Sequence, residues 1–346
     1  MTKVSIIIPI YNVAPFLEQC LDSVRNQTFK DYEVLLIDDC GTDESITIAE
    51  RFILVHGLQE HGWRILHHSH NRGLSAARNT GMKAAQGEWV YFLDSDDYIS
   101  ADAISSLYEI ATCEQDIEMA IGGINTLVAE NLKNINGRIW DYLPMQEGVC
   151  KQSVLNYFLD GSYYMMAWNK LIRTDFLRQH SLYFKEGLIH EDDLWSFCCA
   201  CWLKKISVIH NQTYFYRIHD NSIIGDSREK IHVFAKNTVL SEMIDYTLLN
   251  GLGYNKPIFI YIYFKLKGLL LSESFVRHKE YVRDLFEKFH NTHFWTISQL
   301  WHNAPAKRDF FYSVMFKLPL SLGVYFVPRL IRSFRYYDAH CFLHRH

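Results

Sequence analysis

The sequence predicts an α/β protein in which a mostly parallel, Rossmann-like sheet is flanked by helices and followed by a helical C-terminal region. Strand and helix patterns alternate over the first hundred residues, the strand patterns are rich in β-branched residues, and strand patterns become scarce after residue 228. Alternating strands and helices require parallel crossovers, which place helices on both faces of a sheet.

The hydrophobic period predicts each element of the first hundred residues. Residues 4–8 form a β-branched run suited to a strand covered on both faces, and Pro15 fits the first position of the helix that follows. The apolar positions of that helix recur with a period of 3.6: Leu17, Cys20, Leu21 and Val24. The next predicted elements are a strand at 34–37, a helix at 43–52, a strand at 65–67, a helix at 74–85 and a strand at 89–93.

Beyond residue 97 the pattern predicts a mixed arrangement. The predicted elements are strands at 117–121, 137–140 and 207–215, with helices near 154 and at 192–203. From about residue 228 the chain becomes aromatic, rich in lysine and arginine and helical in pattern, so we place a domain boundary between residues 226 and 227. A length of 346 residues allows two domains at roughly 150 residues each.

Net charge, the N-terminal sequence and the cysteines limit which classes of function and which cellular compartment the sequence favours. The formal net charge of −4 lacks the basic excess of a nucleic-acid binder, so no nucleic-acid partner is expected. The first apolar run ends at Pro9 and is too short for a secretory signal. The only cysteine cluster, at 198–201, lies in an apolar helix pattern typical of buried thiols. We therefore expect a cytoplasmic location.

Polar segments follow the predicted strands, where open α/β sheets bind ligands. The segment Asp94-Ser95-Asp96-Asp97 follows a buried strand, and its oxygens suit Mg²⁺ or Mn²⁺. The alternative is a polar turn that ends the strand.

Two further segments suit a nucleotide. Asp39 follows the second strand and can accept hydrogen bonds from a base or a ribose, whereas Thr42 or Asp43 more simply caps the next helix. The segment 71–79 combines arginines with a helix start, which suits a diphosphate. Here the alternative is an arginine paired with a nearby aspartate.

Two segments in the second half are candidates for catalysis. Glu191-Asp192-Asp193 opens a helix, where acids are favoured by the helix dipole. Adjacent carboxylates also raise one another's pKa, which suits a general base. Arg217 and His219 could meet a diphosphate, although basic residues in a polar loop are commonly just solvated.

Together, residues 4–12, 37–45, 71–79, 87–97 and 191–192 resemble the family 2 glycosyltransferases, an inverting group with the GT-A fold. The resemblance spans about residues 1–225 in the family's order and departs from it at Cys40-Gly41, where Gly-Ser is more usual. It implies a nucleotide-sugar half at about 1–100 and an acceptor half at about 101–226.

The resemblance also implies residue roles. The nucleotide, usually a UDP-sugar, would be bound by Pro9, Tyr11, Asp39, Asn71, Arg78, Asp94 and Ser95. Asp96 and Asp94 would hold Mn²⁺ or Mg²⁺, and Asp192, with Glu191 beside it, would be the catalytic base. Arg217 and His219 would lie on a loop that closes over the diphosphate. The acceptor would be a saccharide or a lipid-linked saccharide.

Alternatives remain for the C-terminal region and for the activity. Aromatic and basic residues at 307–335 suit either a helix at the membrane interface or one packed on the catalytic domain. The rival activities are a sugar nucleotidyltransferase and a catalytically inactive nucleotide-sugar-binding or scaffold protein. The first would require a loop rich in glycine and in lysine or arginine after the first strand, which residues 9–12 do not provide.

Overall fold

In the computed structural model, the N-terminal part of the chain is built on one nine-stranded sheet. The structure describes residues 2–128, 145–150, 153–160, 162–218, 229–252, 255–271 and 278–291. The strands are β1 (Val4–Ile10), β2 (Tyr32–Asp38), β3 (Trp63–His67), β4 (Trp89–Phe92), β5 (Tyr98–Ile99), β6 (Met119–Val128), β7 (Gly148–Val149), β8 (Lys170–Arg173) and β9 (Ile206–Ile218). The helices of this part are α1 (Ala14–Arg25), α2 (Ser45–Val55), α3 (Leu74–Ala84), α4 (Ala103–Thr112), α5 (Val154–Asp160), α6 (Thr174–Gln179) and α7 (Glu191–Trp202).

The sheet order is β3-β2-β1-β4-β8-β6-β9-β5, and β7 pairs with β9. Strands β1 to β4 are parallel to one another, whereas β8 runs antiparallel to both β4 and β6. The long pairing of β6 with β9 is parallel again. The predicted α/β class, with a mostly parallel sheet and flanking helices, is confirmed.

Packing around β1 explains which residues occur in β1, in α1 and at the position of α3 that faces the strand. Every residue of β1 is buried, as expected for a strand covered on both faces. The four apolar positions predicted for α1 are the four that it buries. A Cβ on Gly81 of α3 would lie 2.3 Å from Ile7 Cγ2, so α3 can approach β1 only with glycine there. This approach brings the start of α3 to the carboxyl end of β1.

Several elements differ from their predicted bounds. Strand β3 begins at Trp63, two residues earlier than predicted, and β9 extends to Ile218. The pattern missed α4 and β8; β8 has only two apolar residues, Leu171 and Ile172, between basic ends, which is too short for a period. The strand predicted at 137–140 lies outside the described residues.

The chain divides into two compact units, Met1–Asp226 and Ser227–His346. The described helices of the second unit are α8 (Glu229–Leu249), α9 (Lys256–Leu271) and α10 (Lys279–Asn291). None of the helices among the described residues is long and apolar enough to cross a membrane. Residues 307–335, for which a membrane-interface helix is one prediction, lie outside the described residues.

Candidate active site

The polar segments singled out in the sequence lie where the parallel strands end. Asp39 follows β2, and Asp94 lies two residues beyond β4. Glu191 and Asp192 are the first two residues of α7. The residue before them, His190, has a φ of 62°, a left-handed conformation that turns the chain into the helix.

Arg78 of α3 gathers three carboxylates from two other segments. Its Nη1 donates to Glu191 Oε1 at 2.9 Å and to Asp192 Oδ1 at 2.7 Å, and its Nη2 donates to Asp94 Oδ1 at 2.9 Å. The Arg78 side chain is 1% exposed, whereas those of Asp94 and Asp192 are 23% and 22% exposed. One guanidinium therefore joins the predicted metal ligand to the predicted base, and both carboxylates remain accessible. Contact of Arg78 with a nucleotide stays a prediction.

The cluster perturbs the acidity of its members. Burial disfavours the charge of Arg78, but attraction to Asp192, Asp94 and Glu191 outweighs it and raises the Arg78 pKa. Burial, reinforced by repulsion from Asp192, raises the pKa of Glu191 to about 7 despite Arg78. Burial also raises the pKa of Asp94 to about 6, against the attraction of Arg78. The carboxylates repel one another, and Arg78 is what holds them together.

The raised pKa of Glu191 predicts a pH-dependent stability. A carboxyl group with a folded-state pKa near 7 retains a proton that the unfolded chain loses near pH 4.5, so its contribution to the free energy of unfolding falls as pH rises through that window. Between pH 5 and pH 8 we expect the wild type to lose about 2 kcal/mol more than Glu191→Gln. Urea denaturation at both values measures the difference.

The control is Glu88→Gln, which removes an exposed acid that pairs with Lys3. It should keep the pH dependence of the wild type. Equal pH dependence of Glu191→Gln and the wild type would contradict the prediction.

Asp39 is a buried acceptor that shapes the loop before α3. Its Oδ1 accepts from the Arg72 amide at 2.8 Å and faces His68 Nδ1 at 2.7 Å, and its Oδ2 accepts from the Gly73 amide at 2.8 Å. A carboxylate can only accept, so His68 Nδ1 is the donor, and His68 Nε2 is hydrogen-bonded to Thr80 Oγ1 at 2.8 Å. Asp39 Oδ2 retains capacity for a further donor.

The segment after β1 is held against the loop after β2. Asn12 Oδ1 accepts from the Thr42 amide at 2.7 Å, and Asp43 Oδ2 accepts from the Ala14 amide at 2.9 Å. A Cβ on Gly41 would lie 3.0 Å from the Asn12 nitrogen, which explains a glycine there. Asp43 Oδ1 also accepts from the Ser45 amide at 3.0 Å, but the N-cap residue of α2 is Glu44 and it makes no side-chain capping hydrogen bond, so neither Thr42 nor Asp43 is the cap expected from the sequence.

The other predicted nucleotide ligands differ in exposure. Pro9 is buried within β1 beside Ile37, and Tyr11, just beyond the strand, is 47% exposed. Asn71 is exposed in the loop before α3, and Ser95 is buried between the two aspartates. The exposed side chains are thus available to a ligand.

Arg217, at the end of β9, is anchored to the segment after β4. Its amide donates to Asp97 Oδ1 at 2.8 Å, and its Nη1 donates to the Asp96 carbonyl at 3.0 Å. Its guanidinium also donates to Gln19 Oε1 and lies over the Phe16 ring. His219, predicted to act beside Arg217, lies outside the described residues.

Tyr214 supports the same segment and was not predicted. Its hydroxyl donates to Asp97 Oδ2 at 2.6 Å and accepts from the Asp94 amide at 3.3 Å. Asp97 is fully buried, and burial, with repulsion from Asp96 and Asp94, raises its pKa well above the usual range. Asp97 therefore fixes the backbone that presents Asp94 and Asp96. No local pattern marks Tyr214, because its partner lies 117 residues away.

The donor chemistry fits a divalent cation that keeps part of its coordination for a substrate. Among the described residues, no group of three or more His, Cys, Asp or Glu is arranged to hold a metal ion. Asp94 and Asp96 offer hard oxygen donors on one partly exposed segment. Mg²⁺ is commonly bound by one or two carboxylates together with substrate phosphates. The two aspartates match that pattern.

Comparison with known proteins gives the family. The profile described as "Glycosyl transferase family 2" matches residues 5–185. The chain is 31% identical over 281 residues to "Glycosyltransferase GlyA" of Streptococcus pneumoniae serotype 4, which covers 79% of this chain and 38% of that protein. It is 28% identical over 219 residues to "Poly(ribitol-phosphate) beta-N-acetylglucosaminyltransferase TarS" of Staphylococcus aureus (strain MW2), covering 62% and 35% of the two chains. The chain also matches a Bacillus subtilis relative at 29% identity and covers 64% of its length. It thus covers less than two thirds of the length of each of these three relatives.

Solved structures confirm the GT-A fold predicted from the sequence. The crystal structure of S. aureus TarS 1-349 in complex with UDP-GlcNAc matches with a TM-score of 0.70 at 19% identity, over 96% of this chain and 91% of that chain. The mannosyltransferase PcManGT of Pyrobaculum calidifontis, in complex with GDP-Man and Mn²⁺, matches with a TM-score of 0.53 at 11% identity, over 93% and 85% of the chains. At these identities the likeness shows the fold alone.

Proposed function

Because the chain belongs to glycosyl transferase family 2, we propose that it transfers a sugar, with inversion, from a nucleotide diphosphate donor to an acceptor hydroxyl. We take the donor to be a UDP-sugar and the acceptor to be a saccharide or lipid-linked saccharide of a cell-surface polymer. The Arg78 cluster is the observation that carries the proposal, since it holds a candidate metal ligand and a candidate base beside each other. The likeness to TarS, whose structure contains UDP-GlcNAc, supports the UDP-sugar.

The nucleotide would lie along the ends of β1 and β2. The exposed ring of Tyr11 can stack on a base, and Asp39 Oδ2 can accept from an N–H of that base or from a ribose hydroxyl. The exposed side chain of Asn71 lies in the loop that Asp39 shapes. With its base at the ends of β1 and β2, the nucleotide would direct its diphosphate toward Asp94, which follows β4.

Asp192 would act as the general base. Its Oδ1 is held by Arg78 and its Oδ2 accepts from the Ala167 amide at 3.3 Å, so the carboxylate is fixed while still partly exposed. It takes the proton of the acceptor hydroxyl as that oxygen forms a bond to the anomeric carbon. The bond from this carbon to the β-phosphate oxygen breaks with its electron pair, and the nucleoside diphosphate leaves from the opposite face.

Asp94 and Asp96 would hold Mn²⁺ or Mg²⁺ against the diphosphate. The ion, when bound, neutralises charge on the leaving phosphate. Asp96 would be the direct ligand, as the family resemblance implies, and Asp94 would contribute although its Oδ1 is paired with Arg78. Arg217, anchored through the Asp96 carbonyl, would place positive charge beside the same phosphates.

Calorimetric titration with UDP, GDP and CDP, each with and without Mn²⁺, tests the donor site. We expect UDP to bind and Mn²⁺ to strengthen its binding, because Asp94 and Asp96 would hold an ion whose positive charge attracts the diphosphate. In the double variant Asp94→Ala, Asp96→Ala, Mn²⁺ should no longer strengthen UDP binding. The affinity for UDP in the presence of Mn²⁺ should therefore fall by about tenfold or more.

The matched control is Asp175→Ala. This exposed aspartate lies two residues after Arg173. Arg173 is the partner of Trp89 in the sheet, at the end of β4 opposite to Asp94. It should bind UDP as the wild type does. If folded wild-type protein binds none of the three nucleotides in the presence of metal, the proposal fails and a scaffold role replaces it.

A further inference from the structure

The segment between α5 and β8 contacts the candidate base. The Ala167 amide donates to Asp192 Oδ2 at 3.3 Å, and Arg78 occupies Oδ1 of the same carboxylate. The orientation of Asp192 therefore depends on two donors, one a side chain and one a main-chain amide. Whatever fixes Ala167 also fixes the second oxygen of Asp192.

Three consecutive carbonyls before Ala167 are bound by side chains. Lys170 Nζ donates to the Tyr164 carbonyl at 2.9 Å and also to the Met166 carbonyl. Ser196 Oγ, from the helix that carries Asp192, donates to the Met165 carbonyl at 2.5 Å. The segment is thus tied both to β8 and to α7.

Lys170 is an unusual residue for this task, because its side chain is 0% exposed. Its ammonium lies over the Tyr163 and Tyr164 rings, at 4.7 and 4.5 Å from the centroids. Burying a charge is costly unless it is compensated, and the carbonyls and rings provide that compensation. A methionine would fill similar space without a charge.

The electrostatic surroundings link Lys170 to the site. Burial lowers the pKa of Lys170 to about 7, and Arg78 acts in the same direction. The negative charge of Asp192 opposes that shift. The charge state of Lys170 is thus influenced by the charge of the base.

We propose that Lys170 is a positioning residue for Asp192. Its ammonium fixes the Tyr164 and Met166 carbonyls, which orients the Ala167 amide toward Asp192 Oδ2. The carboxylate then presents its remaining lone pairs to the acceptor hydroxyl in one direction. This inference rests on the proposed function, because positioning matters only if Asp192 removes a proton.

Two variants test the inference. Lys170→Met removes the charge and the donors, whereas Lys170→Gln keeps an uncharged donor. We expect kcat for UDP release from a UDP-glucose or UDP-N-acetylglucosamine donor to fall about 10- to 100-fold in Lys170→Met, since small misplacements of catalytic groups have effects of this size. KM for the donor and UDP affinity should stay within about twofold, and Lys170→Gln should retain more kcat than Lys170→Met.

A second readout does not depend on catalysis. The Ala167 amide should exchange with deuterium faster in both Lys170 variants, while amides of the buried strand β1 keep their protection. Ser196→Ala removes the α7 hydroxyl that donates to the Met165 carbonyl of the same segment. It provides a test even if the Lys170 variants do not fold. It should also lower kcat and speed exchange at Ala167.

The two proposals fail in different ways. Failure of the glycosyltransferase assignment would appear as a wild-type chain that neither binds UDP nor turns over a UDP-sugar. If the wild type is active, but folded variants of Lys170 keep both its kcat and its exchange rate at Ala167, Lys170 is not a positioning residue. If Ser196→Ala keeps both as well, the bound carbonyls of this segment do not orient Asp192, and the proposal fails on that ground too.

Discussion

Replacing Arg78 with methionine is expected to lower the free energy of unfolding by about 3 kcal/mol or more, because removing one partner of a buried ion pair leaves uncompensated charge. The loss should be large here, since the guanidinium is 1% exposed and serves Asp94, Glu191 and Asp192 at once. Without it, three mutually repelling carboxylates remain near one another with no positive charge between them. Urea denaturation at pH 7.5 measures the change.

The matched control is Arg72→Met. Arg72 pairs with Glu186, and both side chains are more than a third exposed, so this substitution should cost less than about 1 kcal/mol. Similar losses of stability in the two variants would show that the Arg78 cluster is not a stabilising unit. Circular dichroism on both proteins establishes that each is folded before the comparison.

Asp192→Asn should abolish nearly all sugar transfer while leaving nucleotide binding in place. An amide keeps an oxygen that can accept from Arg78, but it cannot remove the proton of the acceptor, which general bases accelerate by about 10²- to 10⁴-fold. We therefore expect kcat to fall within that range and the affinity for UDP to stay near that of the wild type. Transfer is followed as UDP released from the donor.

Asp193→Asn is the control, because it changes the neighbouring carboxylate in the same first turn of α7. It should transfer at a rate close to the wild type. Turnover by folded Asp192→Asn within threefold of the wild type would end the assignment of Asp192 as the base.

The local features of the fold could be predicted from the sequence. The β-branched run of β1, the spacing of the buried positions of α1, and the acids that follow β4 all lie within short windows, where hydrophobic period is informative. Asp39 also lies directly after a strand, as the sequence predicted, while its contact with a ligand stays a prediction. Each of these predictions needed only neighbours along the chain.

Long-range contacts could not be predicted in the same way. The sequence offered, as an alternative, an arginine of residues 71–79 paired with a nearby aspartate. In the structure Arg78 pairs with Asp94, 16 residues away, and with Glu191 and Asp192, 113 and 114 residues away. Lys170 would ordinarily be taken as a surface residue, because lysine is almost never buried. Only packing of β8 against its neighbours shows that it is enclosed.

The sequence separation within the Arg78 cluster also constrains when it can form during synthesis. Asp94 is made 16 residues after Arg78, whereas Glu191 follows only after 113. At about 5–20 residues per second, that gap corresponds to about 6–23 s of translation. Once Asp94 has been made, it remains the only one of the three carboxylates in the nascent chain until Glu191 is added. Completion of the cluster must therefore be a late event in folding, dependent on a helix made long after the first four parallel strands.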